Sequence, residues 1–182
     1  NYLNSLLNKN TMSVLSIVVF FLLSFSFGYL LTFFVKPWGS ALERFFMRVG
    51  IGIAVVIVVA VVMNLVGIIL DWKIFLVLSL LILASILVYN RRNLTFSLKI
   101  TKEDAYAGAA VIIAILSLWM YASGAFSYPY LENDDPWTHA VVVSYVAQEK
   151  VLADTPTYNF KFLDPYPPGF AVWLGLMHQI EP

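Results

Sequence analysis

Cysteine is absent from this chain, which excludes disulfides, thiolate metal sites and cysteine nucleophiles while leaving the compartment open. Charge is scarce: 12% of residues are charged against 60% hydrophobic, and the two signs balance to a formal net charge of zero. A neutral total gives no argument for nucleic acid or for an acidic partner, so only the distribution of charge is informative. Internal repeats and low-complexity tails are lacking. The apolar runs show no period-two alternation, which argues against a β-barrel. What the chain does have is a mean hydropathy of +0.81 and long uncharged runs, and these place it in the membrane class.

Four apolar segments are long enough to be read as spans: residues 12–35, 49–70, 74–89 and 105–126. With no water at membrane depth to satisfy backbone groups, such runs must be helices. The third is short and is expected to form a tight hairpin with the second through Asp71, Trp72 and Lys73. Ser40 with Glu43, and Thr101 with Asp104, have capping-box spacing just before apolar runs. The spans so drawn contain no acidic or basic residue, which weighs against a self-contained channel or proton-coupled transporter. Asn64 within the second is expected to be an interhelical hydrogen-bond partner.

Basic residues set the expected topology. Lys36, Arg44 and Arg48 follow the first span, and Arg91, Arg92, Lys99 and Lys102 follow the third, so both connections are expected in the cytoplasm. The N-terminus, the second hairpin and residues 127–167 then face the extracytoplasmic side. That last segment carries Glu132, Asp134, Asp135, Glu149, Asp154 and Asp164 against Lys150 and Lys161. The sequon Asn93-Leu94-Thr95 would lie in the cytoplasm, unglycosylated.

Polar chemistry is concentrated in residues 127–170. Asp135-Pro136 reads as a helix cap and first helical residue, opening an amphipathic helix over 136–152 that lies at the membrane surface. Position 139, a histidine, is one turn beyond Asp135. Pro165, Pro167 and Pro168 impose extended backbone and Gly169 permits a sharp turn before a further apolar run at 170–177. That run is too short to span, since a crossing needs roughly 20 residues; with a start at Asn1 and an end at Pro182 just after it, it leads us to expect part of a longer polytopic protein.

These residues allow several roles. Asp134, Asp135 and His139 together could ligate a divalent cation, and oxygen-rich ligation would favour magnesium or manganese. A carboxylate here could instead take a proton from an acceptor hydroxyl without metal. Asp135 could also serve only as a cap, and the acidic loop only as a solvated surface.

Two stretches carry a family resemblance. Asp134-Asp135-Pro136-Trp137, continuing through His139 and Tyr145, resembles the Asp-Pro-Trp/Tyr segment of oligosaccharyltransferase catalytic subunits. Tyr166-Pro167-Pro168-Gly169-Phe170 resembles the Tyr-x-Pro-Pro-Gly stretch of protein mannosyltransferases and aminoarabinose transferases. Over residues 105–180 the chain is thus similar to the GT-C glycosyltransferases, among them the archaeal and bacterial family-39-like membrane proteins. The resemblance implies an all-α polytopic fold in a prokaryotic plasma membrane. Residues 1–104 would be N-terminal helices extra to the family pattern; residues 105–182 would hold the fourth span, the acidic loop and the start of a further span. It also implies sugar transfer from a polyprenyl-phosphate-linked donor to an acceptor, with Asp135 and then Asp134 as the catalytic or metal-binding acids. Trp137, Tyr166, Pro168 and Gly169 would border the substrates, with the membrane lipid, further subunits or a C-terminal part as partners. The alternative expectation is a non-catalytic membrane scaffold whose acidic loop binds a partner or calcium.

Overall fold

A computed structural model describes residues 2–35, 40–90, 102–125, 134–152 and 167–180. Of the residues named above, Asn1, Lys36, Arg91, Arg92, the 93–95 sequon, Lys99, Thr101, Glu132, Asp154, Lys161, Asp164, Pro165, Tyr166 and Pro182 lie outside the described residues. The chain is all-α: α1 Tyr2–Thr32, α2 Ala41–Leu65, α3 Trp72–Asn90, α4 Lys102–Ala125, α5 Asp134–Glu149 and α6 Gly169–His178. The first four are long and apolar enough to cross a membrane, from Val14 in α1 onward. At 1.5 Å per residue, α6 with its ten residues is about 15 Å long, half the thickness of a hydrocarbon core.

Helix starts follow local chemistry as well as hydropathy. The capping box at α2 is formed: Glu43 N–H donates to Ser40 Oγ (3.1 Å) and Ser40 N–H donates to Glu43 Oε2 (3.3 Å). A third donor, Leu42 N–H, reaches across to the Asp104 carboxylate of α4 (3.2 Å). The helix therefore begins at Ala41, ahead of the apolar run at 49, because caps rather than lipid contact decide where backbone bonds start. Arg44 and Arg48 consequently lie within α2, where the sequence placed them in a connection. Arg48 rests its guanidinium 3.8 Å from the centroid of the Tyr29 ring and donates from Nε to Thr32 Oγ1 (3.3 Å). Cation–π contact and a hydroxyl acceptor give the charge partners at the end of a span.

Helices α1 and α2 run antiparallel in close backbone contact. A Cβ added to Gly28 would overlap the Arg48 carbonyl, and one added to Gly52 would overlap the Ser24 carbonyl. Small residues at such a crossing let two backbones approach in a medium that offers helices no hydrophobic drive to associate. The buried line of α2 continues through Val56, Ala60 and Met63. Two hydroxyls of α1 turn back on their own helix, Ser24 Oγ to the Phe20 carbonyl (2.8 Å) and Thr32 Oγ1 to the Gly28 carbonyl (2.9 Å), so neither is left to face lipid unpaired.

The core gathers Val19, Leu23 and Phe27 of α1, Val56, Ala60 and Met63 of α2, and Phe75 of α3. Seated among them are Val172, Trp173 and Leu176 of α6. Trp173 packs its ring 4.7 Å from that of Phe20 and donates its indole N–H to the Ile53 carbonyl (3.1 Å). By contrast α4 leans on α2 alone among the helices with substantial contact, and none of its span is buried.

The glycine crossing is directly testable. Gly52→Leu or Gly28→Leu should lower stability in detergent by on the order of 1–3 kcal/mol, the cost of overpacking. Gly50, with open space where a Cβ would stand, supplies the control: Gly50→Leu should melt with the parent chain.

Candidate functional site

The acidic stretch opens α5. Backbone is helical from Asp134, so Asp135 sits inside the first turn rather than at the cap expected for it. Pro136 is accommodated because the first four N–H groups of a helix have no intrahelical acceptor to lose. Placing Asp134 and Asp135 at the N-terminal end sets two acidic residues beside free N–H groups and the positive end of the macrodipole. Their side chains lie outside the described residues.

Trp137, one turn into α5, is 55% exposed. It borders a groove of about 330 Å3 that runs along α5 past Ser144, Tyr145 and Gln148 to Glu149. His139 faces the other expected stretch: its ring meets Phe170 edge-on with centroids 5.5 Å apart. Pro168 and Gly169 form the entry to α6, where Pro168 supplies the carbonyl for Val172 N–H (2.9 Å) and Gly169 abuts Ile57 of α2. A Cβ on Gly169 would come within 2.9 Å of Ile57 Cδ1, and one on Gly175 within 2.7 Å of Val146 Cγ1. Val142, Tyr145 and Val146 of α5 close on Ala171 of α6 as a second apolar cluster. The Asp-Asp-Pro-Trp and Pro-Pro-Gly-Phe stretches, separate in sequence, are therefore neighbours through His139 and Phe170.

A magnesium or manganese ion at Asp134, Asp135 and His139 would draw one ligand from a ring packed against Phe170; the other two side chains are outside the description. Among the described residues no three His, Asp or Glu side chains converge on a point.

What sequence reasoning missed is how α5 and α6 are fastened. Helix α5 stops at Glu149, short of the expected 152, because Lys150 takes a left-handed backbone (φ 58). That turn aims the Lys150 carbonyl at Leu70 N–H (2.7 Å), while Leu152 N–H donates to Asn64 Oδ1 (2.8 Å). Asn64 is thus a hydrogen-bond partner, as expected, but of backbone just beyond α5. Gln179, following α6, accepts from Trp72 N–H (2.9 Å) and donates to the Leu70 carbonyl (2.7 Å). The Lys150 ammonium meets Asp71 at 2.5 Å. This clasp joins four chain segments at one end of the bundle. Its only signals in the sequence were an amide late in an apolar run, Asn64, and the charged tip Asp71-Trp72-Lys73.

Neither family models, nor characterised proteins, nor solved structures give a match to the chain.

Burial pushes the Asp71 carboxyl up, but the hydrogen bonds from the Lys150 ammonium and the Lys73 N–H outweigh it and hold its pKa below the ordinary value. A carboxyl whose folded pKa is depressed stabilises the fold above its unfolded pKa, about 4, and loses that contribution as pH falls through the lowered value. Protection of the Leu70 and Leu152 amides, measured against their intrinsic exchange rates at each pH, should therefore fall on acidification below about pH 4. In Asp71→Asn that acid dependence should vanish, with exchange already faster at neutral pH.

Proposed function

We propose that this chain forms the acceptor-side segment of a GT-C type glycosyltransferase embedded in a prokaryotic plasma membrane. The reaction moves a sugar from a polyprenyl-phosphate-linked donor to an acceptor hydroxyl or amide on the extracytoplasmic face. The carrying observation is the meeting of the two family-like stretches: α5, which begins Asp134-Asp135-Pro136-Trp137, packs on α6, which begins at the Pro-Pro-Gly-Phe, with His139 on Phe170. An active loop needs this, since residues distant in sequence must border one volume. The groove along α5 adds an exposed indole, a hydroxyl, an amide and a carboxylate, a set suited to stacking on a sugar and bonding its hydroxyls.

In this scheme Asp135 takes the proton of the acceptor as its oxygen or nitrogen bonds to the anomeric carbon. The bond from that carbon to the phosphate oxygen breaks, and the lipid phosphate leaves with the electron pair. The first turn of a helix favours the ionised form of a carboxylate, the form a general base needs. Asp134 orients the acceptor, and Trp137 and the Tyr166–Gly169 stretch border the donor. Support for a common side comes from the clasp, which ties the end of α5 to the α2–α3 hairpin; reading that side as extracytoplasmic follows from the basic residues in and beside the other two connections, Arg44 and Arg48 near the start of α2 among them.

A non-catalytic membrane subunit is the alternative, favoured by α4, whose span has no buried residue and offers the surface turned away from α2 to other helices.

Asp135→Asn separates the two. In membranes from cells expressing the chain, sugar transfer from a polyprenyl-phosphate donor should fall by about 10²–10⁴, the usual worth of a general base, with melting unchanged. Full activity in that variant would sink the catalytic assignment, and no transfer by the parent chain would leave the scaffold.

A further inference from the structure

A polar pocket of about 300 Å3 opens beside the clasp, walled by Asp71, Trp72 and Lys73 of the hairpin, Gln148 and Lys150 from the end of α5, and Gln179 after α6. Its depth is fixed by the fold: α2 ends at Leu65 and the span of α3 begins at Trp72, so the pocket lies where apolar helix gives way to headgroups. An indole at that level is characteristic of the membrane interface.

Two ammonium groups stand on the wall against one carboxylate, and Asp71 is spent on Lys150 at 2.5 Å. Lys73 is exposed, donates its backbone N–H to Asp71 (2.9 Å) and attracts that carboxylate through its charge, while the ion pair itself is made by Lys150, so the Lys73 ammonium is engaged by the clasp only in part. The Gln179 amide is engaged at both ends by Trp72 and Leu70, whereas Gln148 is exposed and adds a neutral donor. The wall therefore presents net positive charge and several N–H donors around a space far larger than a water molecule. A tetrahedral oxyanion is the ligand such a wall satisfies, since phosphate accepts many charge-assisted bonds at once. Its apolar continuation would lie along the lipid-facing helices, where Ile68 and Ile69 of the connection are exposed close by in sequence.

We propose that this pocket holds the phosphate group of a lipid at the membrane surface. The assignment does not rest on sugar transfer, because an ordinary anionic phospholipid and a polyprenyl phosphate present the same group. It differs from a merely structural clasp in one consequence. Asp71 holds the clasp together yet opposes the ligand, so neutralising it strengthens binding while loosening the fold.

Native mass spectrometry of the purified chain in detergent, titrated with phosphatidic acid, diacylglycerol of the same acyl chains, polyprenyl phosphate or inorganic phosphate, tests this. Phosphatidic acid should be retained and diacylglycerol lost. Lys73→Glu leaves every clasp bond in place and should weaken phosphatidic acid at least about tenfold, a difference of 1.4 kcal/mol; Lys73→Gln should weaken it less. Asp71→Asn should bind several-fold more tightly. Preference of polyprenyl phosphate over phosphatidic acid would assign the source as the donor lipid, and equal binding would assign any anionic lipid. Equal retention of diacylglycerol, indifference to Lys73→Glu, or inorganic phosphate binding as well as the lipids do would each overturn the proposal.

Discussion

Backbone meets backbone where α1 crosses α2, and the rest of the bundle is arranged around that contact. Gly28 and Gly52 each sit where a side chain would occupy the partner's carbonyl. Lipid tails are as apolar as leucine, so two helices gain little by hiding apolar side chains from them; close van der Waals approach is what holds the pair. Once the axes are this near, Val19, Leu23 and Phe27 on one helix and Val56, Ala60 and Met63 on the other line a shared trough. Phe75 of α3 and Val172 of α6 fill it.

Apolar packing alone would leave α6, with α5 packed on it, free to slide along that trough. The clasp removes the freedom by directional bonds, one between main chains and three between main chain and side chain: Leu152 and Trp72 donate, Lys150 and Asn64 accept, and Leu70 and Gln179 do both. Such bonds are worth only about 1 kcal/mol each in net terms, but leaving any of these groups unpaired away from water costs more. The left-handed Lys150 is tolerated for the same reason. An unfavourable backbone conformation of about 1–2 kcal/mol is outweighed by the carbonyl it aims and the ion pair it permits.

Much of the fold was legible because lipid imposes a simple rule: a run of apolar residues must be a helix. Four helices long enough to cross a membrane follow from that alone, and the Ser40–Glu43 box gave the start of α2. Hydropathy was a poor guide to the polar ends of helices. It put Arg48 in a connection, although the Tyr29 ring and the Thr32 hydroxyl let a guanidinium end a helix. It also let α5 run to 152, blind to a lysine adopting the conformation usually left to glycine. At the candidate site, adjacency of His139 and Phe170 is a tertiary fact that no spacing encodes. The Asp71–Lys150 pair, far apart in the chain, was equally invisible. Single-residue chemistry could be read from the letters; which residues share a volume could not.

The position of α6 has a consequence for biosynthesis. Its seat is made from α1, α2 and α3, so every residue that receives Trp173, from Phe20 to Ile53, leaves the ribosome before Trp173 does. The template on which α6 docks is thus complete before α6 itself is made, and the indole bond to the Ile53 carbonyl fixes its register there. A defect at the first helix pair would therefore reach the segment carrying the Pro-Pro-Gly turn through the seat of Trp173.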